Sequence, residues 1–103
     1  MSLNIPIVAV PNQSFSVVLE QQNCKINLLT RGDITYFDLF LNNQAIILGR
    51  QLNISPVLPY KYIQQKFNGN FIILNNDGNL DTTPNYRLFG ISQSLIYYTL
   101  ADL

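Results

Sequence analysis

The sequence contains no histidine and no tryptophan, and Cys24 is its one cysteine. Histidine is the commonest general base and metal ligand, so Ser–His–Asp and Cys–His catalysis are excluded from this chain alone. One cysteine cannot form an internal disulfide, and a structural zinc site would need four Cys or His ligands. The five glycines are scattered and form no phosphate-binding loop. We therefore expect no catalytic residue, no metal and no cofactor, and we predict that the protein is not an enzyme.

Charge is also scarce, since six basic and six acidic residues make up 12% of the 103 residues, about half the usual share. A net charge of zero argues against nucleic acid and anionic membranes as partners, because both require a basic surface. No signal-peptide pattern and no apolar run of membrane-spanning length is visible, so we expect folding in a reducing cytoplasm. Thirteen Asn and eight Gln replace the missing charge. Such a surface suits a permanently assembled subunit, although base-composition bias explains it equally well.

The residues that are present predict one domain, residues 1–103, built from short strands. The clearest pattern is a hairpin in which Ile34–Leu41 and Ala45–Leu48 are joined by a turn at Asn42-Asn43. With a two-residue turn, Leu39 faces Ile46 and Phe37 faces Leu48. This register predicts a core face made of Phe37, Leu39, Ile46 and Leu48.

A second hairpin is predicted from alternating apolar residues in Phe15–Leu19 and Cys24–Thr30, with Gln22-Asn23 at the turn. Cys24 belongs to the apolar set, so we expect a buried small hydrophobe and not a reactive thiol. The predicted cross-strand pairs are Leu19 with Ile26, Val17 with Leu28, and an exposed Glu20–Lys25 ion pair.

Connecting segments complete the first half of the chain. Arg31-Gly32-Asp33 spells the adhesion tripeptide, but Gly-Asp between two strands is ordinary turn chemistry. Met1–Asn12 is an extended arm held by Pro6 and Pro11, and is at most an edge strand. The arm either covers its own barrel or packs on a neighbouring subunit.

The second half is less regular. Asn53–Pro59 is a loop, and Tyr60-Lys61-Tyr62-Ile63 fits either one or two helical turns or a short strand. Phe71–Leu74 predicts a buried strand, and Asp77–Tyr86 a long polar loop. Ser94–Leu100 is apolar on both faces, which a central strand or a strand covered by a partner would explain. The sum is an all-β fold, a small antiparallel β-barrel or closed sandwich of six to seven short strands with little helix.

The sequence contains two weak signals of a metal or catalytic site. Four side chains alternate oxygen ligands along one loop, as calcium sites do: Asn75, Asp77, Asn79 and Asp81. Gly78 does not fit an EF-hand and no bidentate Glu follows, so a solvated turn is favoured. Asp33 and Asp38 are expected on opposite faces and do not form an acid–base pair.

Turn residues and strand residues form one pattern over nearly the whole length: Gln13–Leu19, Cys24–Leu28, Arg31-Gly32-Asp33, Tyr36, Asp38-Leu39, Asn42–Arg50, Pro56, Phe67, Gly69, Phe71, Asp77, Asn79, Pro84, Tyr86, Leu95, Tyr97 and Ala101-Asp102-Leu103. This pattern resembles the phage baseplate plug family. Asn75–Asn85 departs from the pattern, being longer and richer in Asn. The resemblance implies a structural subunit of a contractile-tail baseplate, present in several copies near the hub and inner tube. It carries over no catalytic residue.

We therefore expect a virion protein, made in the host cytoplasm, that contacts other baseplate, hub or tail tube proteins and can form a homo-oligomer within the assembly. Exposed aromatic and arginine residues are the expected contacts: Arg50, Tyr60, Tyr62, Tyr97 and Tyr98. The alternative is a β module that recognises a host-surface glycan on a platform of tyrosines: Tyr60, Tyr62, Tyr86, Tyr97 and Tyr98.

Overall fold

Seven β-strands in two antiparallel sheets form the fold in the computed structural model, which describes residues 2–53, 55–58, 69–79 and 82–99. The strands are β1 (Ser2–Ile5), β2 (Asn12–Leu19), β3 (Gln22–Arg31), β4 (Ile34–Leu41), β5 (Gln44–Gln51), β6 (Asn70–Asn75) and β7 (Gln93–Tyr98). A short 3-10 helix, Tyr86–Leu88, precedes β7. No helix in these ranges is long and apolar enough to cross a membrane.

The larger sheet is a four-stranded meander in the order β2-β3-β4-β5. Its first and third turns each have two central residues with positive φ, at Glu20-Gln21 and at Asn42-Asn43. That is the type I′ geometry, which matches the right-handed twist of the flanking strands. The middle turn carries Gly32 at φ +63°, so the predicted turn at Arg31-Gly32-Asp33 is confirmed.

The hairpin of β4 and β5 is confirmed, but its register is only partly as predicted. Leu41 pairs with Gln44 as expected, and Phe40 pairs with Ala45. Beyond that point the register shifts twice, and the predicted Leu39–Ile46 and Phe37–Leu48 pairs are wrong. The observed pairs are Leu39 with Ile47 and Phe37 with Arg50.

Two extra residues in β5 cause the two shifts: one lies between Ala45 and Ile47, and the second lies between Ile47 and Arg50, where Gly49 forms a bulge. Gly49 has φ +65°, and its backbone N–H donates to the Asp38 Oδ1 atom at 2.7 Å instead of continuing a regular ladder. The first shift places Ile47 opposite the buried Leu39, so its neighbour Leu48 faces outward. Leu48 is 60% exposed, and its predicted place in the core is wrong. Phe37 and Leu39 are fully buried as predicted, and Ile46 packs partly against the core.

The hairpin of β2 and β3 keeps its predicted faces but not its predicted turn. The turn lies at Glu20-Gln21, so Leu19 pairs with Gln22 and not with Ile26. The register differs by an even number of residues, and side chains therefore stay on their predicted faces. Lys25 lies between Ser16 and Phe40, so the predicted cross-strand pairing of Glu20 with Lys25 is wrong. Cys24 is buried as predicted, with 2% of its surface exposed.

The smaller sheet has the order β1-β7-β6. The predicted central strand near the C-terminus is confirmed as β7, and the predicted buried strand as β6. The N-terminal arm provides β1, which is an edge strand as expected. Ile5 and Ile7 of the arm are buried in the core of their own chain, so the arm covers its own sandwich. Leu3, Val8 and Val10 of the arm are exposed, and packing on a neighbouring subunit stays a prediction.

The two sheets pack face to face, with aromatic rings at their centre. Phe37 of the larger sheet contacts Phe71 of the smaller sheet with ring centroids 5.2 Å apart, and Phe71 contacts Tyr97 at 5.5 Å. Apolar side chains of both sheets form one buried cluster. The predicted all-β fold of antiparallel strands is confirmed. In the described part of the chain no ladder joins the edges of the two sheets, so of the two predicted architectures the fold is sandwich-like and the barrel is wrong.

Irregular segments link the sheets. Residues 53 and 55–58 have no regular structure, in agreement with the predicted loop. The segment Tyr60-Lys61-Tyr62-Ile63 and the residues Asp81 and Leu100 lie outside the described residues.

Candidate interaction surface

Two of the predicted contact residues, Tyr97 and Tyr98, are neighbours on β7 and therefore point to opposite faces of the small sheet. Tyr97 is fully buried between the sheets, so it cannot present its ring to a partner, and its prediction as a surface contact is corrected. Tyr98 lies on the outer face and is half-buried. Burial raises the pKa of the Tyr98 hydroxyl above its ordinary value.

Arg50 is exposed, as its predicted role requires, but it also has a structural bond. Its Nε donates to the carbonyl oxygen of Val57 at 2.9 Å, which fastens the segment after β5. Tyr60 and Tyr62 lie outside the described residues.

The described tyrosines do not form the platform that a glycan site would need. Tyr97 is in the core, and the ring of Tyr86 is covered by the guanidinium of Arg87 at 4.5 Å from the ring centroid. Tyr98 lies on the outer face of the small sheet, whereas Tyr86 packs against the buried core. The glycan alternative therefore receives no support from these three residues.

The outer face of the small sheet carries an apolar patch, which we call the outer patch. It consists of Ile72, Leu74, Ile96 and Tyr98, whose cross-strand pairing places them on one face. Leu74 is 43% exposed and the other three are half-buried. Ser94 lies at its rim and donates to the Asn76 side chain at 2.7 Å. An apolar centre with a polar rim is the usual anatomy of a protein interface.

The outer face of the large sheet is organised by a chain of polar groups that crosses all four strands. Ser14 Oγ donates to Asn27 Oδ1 at 2.7 Å, and Asn27 Nδ2 donates to Asp38 Oδ2 at 3.3 Å. The second oxygen of Asp38 accepts the N–H of Gly49 at 2.7 Å. Asp38 therefore holds the bulge of β5 in place, which is a structural task.

A shallow groove lies beside this polar chain. It is lined by Leu29, Arg31, Tyr36, Asp38 and Gly49. Arginine and tyrosine are enriched among residues that dominate binding energy. Arg31 and Tyr36 were not among the predicted contact residues. Tyr36 could have been chosen from the sequence, because strand alternation places it on the same outer face as Asp38.

The loop after β6 uses its oxygen-bearing side chains to bond its own backbone. Asp77 Oδ1 accepts the N–H of Asn79 at 2.9 Å, and Asn75 Nδ2 donates to the carbonyl oxygens of Asn79 and Thr82 at 2.8 and 2.9 Å. Within the described ranges, no three or more His, Cys, Asp or Glu residues lie together as metal ligands. The arrangement is that of an ordered turn.

Gln93 is a buried polar residue that sequence reasoning missed. It is fully buried at the start of β7. Its Nε2 donates to Asn75 Oδ1 at 3.0 Å and to the Thr83 carbonyl at 2.9 Å, and its Oε1 accepts the N–H of Asn85 at 2.9 Å. One side chain thus holds both ends of the long loop against the sandwich.

The Cys24 thiol does not have the environment of a nucleophile. Burial raises its pKa from 9.0 to about 11, so the thiol is protonated at neutral pH. Since the thiolate is the nucleophile, this environment makes the residue inert.

Taken together, the two packed sheets define a small antiparallel β-sandwich. A family model described as "Cyanophage baseplate Pam3 plug gp18" matches residues 2–101. The match spans nearly the whole sequence, so the chain belongs to this family of phage baseplate plug proteins. No curated protein matches the sequence.

Family membership confirms the resemblance found in the sequence and indicates a structural role. It implies contact with other baseplate or tail components and a place in the tail baseplate of the virion.

Proposed function

We propose that this protein is a structural subunit of a contractile-tail baseplate and acts through contacts with other baseplate, hub or tail tube proteins. The observation that carries the proposal is the family match over residues 2–101. The structural role of the family also supports a non-enzymatic function. In this account the chain is made in the host cytoplasm and retained in the virion.

The outer patch is the surface that we assign to these contacts. Its apolar side chains lie on a sheet whose other face is the core, so the backbone beneath them is held by packing on the inside. A rigid surface loses little conformational entropy on binding, which favours association. Tyr98 supplies the large amphipathic side chain that interfaces prefer.

Gel filtration of the purified chain with purified hub, tube and baseplate proteins tests this assignment. We expect co-migration with at least one of them. Leu74→Glu places a charge in the outer patch, and we expect a loss of affinity of tenfold or more, since burying an unpaired charge is costly.

Leu48→Glu is the matched control, because Leu48 is also an exposed leucine on a strand, 60% exposed against 43% for Leu74, but belongs to the other sheet. Circular dichroism of both variants checks that the fold is intact. Absence of a complex with any tail protein would contradict the proposed function. A complex weakened by Leu48→Glu and not by Leu74→Glu would reassign the contact to the large sheet.

A further inference from the structure

In the described ranges the two sheets have four edge strands, β1, β2, β5 and β6, and three of them are protected. β1 has four residues and is followed by Pro6. β5 is distorted by two register shifts. β6 is covered, because Val57 N–H donates to the carbonyl oxygen of Phe71 and Asn70 bonds Leu58 through both its side-chain atoms. Short length, bulges and covering segments are the usual ways in which proteins block strand addition.

Among the residues that the structure describes, β2 has none of these protections. It has eight residues in an unbroken ladder with β3, and it contains no charged residue and no proline. Near the N-terminal end of β2, the side chain of Gln13 accepts the N–H of Val8 and donates to its carbonyl oxygen. The rest of this edge is long, regular and neutral, which makes it a template for another strand.

The turn geometry determines which backbone groups face outward from β2. Leu19 and Gln22 flank the two-residue turn and form a hydrogen-bonded pair, so every second residue before Leu19 also bonds β3. The alternate residues Ser14, Ser16 and Val18 therefore direct their N–H and C=O groups away from the sheet. All three are exposed, and within the described residues no group bonds their outward backbone.

We propose that β2 pairs with β2 of a second copy of this chain, antiparallel, with the two-fold axis at Ser16. In that register the outward backbones of Ser14 and Val18 meet those of Val18 and Ser14 of the second copy. The absence of charged side chains in β2 favours this pairing, because a charged side chain near a two-fold axis would lie close to the same charge on the second copy.

The side chains of the strand agree with this pairing. On the core side, Phe15 of one copy lies opposite Val17 of the other, and both residues are half-buried in the isolated chain. Aromatic–β-branched pairs are favourable across antiparallel strands. On the axis, the small Ser16 side chains meet without steric conflict.

This pairing predicts a dimer and no larger assembly. The interface uses the same surface on both copies, so it closes at two and does not build a ring. One strand pair buries little area, and small interfaces form weak complexes. The inference rests on the sheet edge alone and is independent of the proposed baseplate function.

Sedimentation velocity of the full chain between roughly 10 µM and 1 mM, the range in which weak interfaces assemble, tests the proposal. We expect the mass to rise from 11.7 kDa towards twice that value. Ser16→Pro removes the outward N–H and no ladder bond, and we expect a monomer at every concentration. Ser16→Ala is the matched control that keeps the N–H, and its dimer should be unchanged.

Ser16→Lys provides a second disruption that leaves the backbone intact, and we expect its association to be lost at low salt and partly recovered at high salt. A wild-type chain that is monomeric throughout would overturn the proposal. Trimers or larger species, or a dimer unaffected by Ser16→Pro and Ser16→Lys, would equally overturn it.

Discussion

The packing of the N-terminal arm on its own sandwich predicts that an added methyl group at Gly90 is unusually destabilising. Gly90 has φ +75°, and a Cβ built there would lie 2.3 Å from the carbonyl oxygen of Ile7. Gly78 has a similar backbone conformation, φ +79°, with nothing within 4 Å of a Cβ. Gly78→Ala is therefore a matched control for Gly90→Ala, because both substitutions strain the backbone and only one meets a neighbour.

The expected losses of stability are the sum of a backbone strain energy and, at Gly90, the energy of a steric clash. A left-handed conformation costs an L-residue roughly 1–2 kcal/mol, and this cost applies to both variants. Displacing packed backbone adds about 1–3 kcal/mol at Gly90 only, as in other overpacked sites. In a domain of this size 1 kcal/mol corresponds to about 4 °C in Tm, so Gly90→Ala should melt roughly 4–12 °C below Gly78→Ala.

Thermal and urea unfolding followed by circular dichroism measure this difference directly. Tyrosine fluorescence is a second probe, since the sequence has no tryptophan. Equal losses of stability in the two variants would refute the close contact between the arm and the turn at Gly90.

Two further predictions concern buried polar and titratable groups. Gln93→Leu removes three hydrogen bonds to the long loop and should lower the free energy of unfolding by about 2–4 kcal/mol. The control Ser94→Ala loses one exposed hydrogen bond and should lower it by about 1 kcal/mol or less. Equal free energies of unfolding from urea melts of the two variants would contradict the role of Gln93. The pKa of Cys24 is raised from 9.0 to about 11 in the folded chain, so the unfolded chain loses its proton first and stability should fall as pH rises through this interval. Cys24→Val should show a smaller decline across the same range, and an identical decline would contradict the assignment.

Hairpin positions and the faces of β2, β3 and β4 were predictable from the sequence, whereas the exact registers and the face of β5 were not. Alternation has a period of two, so any even shift fits the pattern equally well, and the turn at Glu20-Gln21 has no Gly or Asn to mark it. Asn42-Asn43 was found because Asn tolerates positive φ. Gly49 within a strand was an available sign of the second bulge, whereas nothing in the alternation marked the extra residue between Ala45 and Ile47 that turns Leu48 outward.

The surfaces were harder to predict because they depend on segments distant in sequence. Tyr97 and Tyr98 were both selected as aromatic residues, yet alternation alone requires that one of them faces the core. Gln93 appears as an ordinary polar residue in the sequence, and only the return of the loop at Thr83 and Asn85 explains its burial. The neutral composition predicts that nucleic acid and anionic membranes are not partners, and this stays a prediction.

Quantitative mass spectrometry of purified virions and of baseplates isolated from them tests the central claim most directly. The account predicts that this chain is present in both, in a fixed ratio to other baseplate proteins. A chain that is abundant in infected cells but absent from purified virions would contradict a structural role in the baseplate.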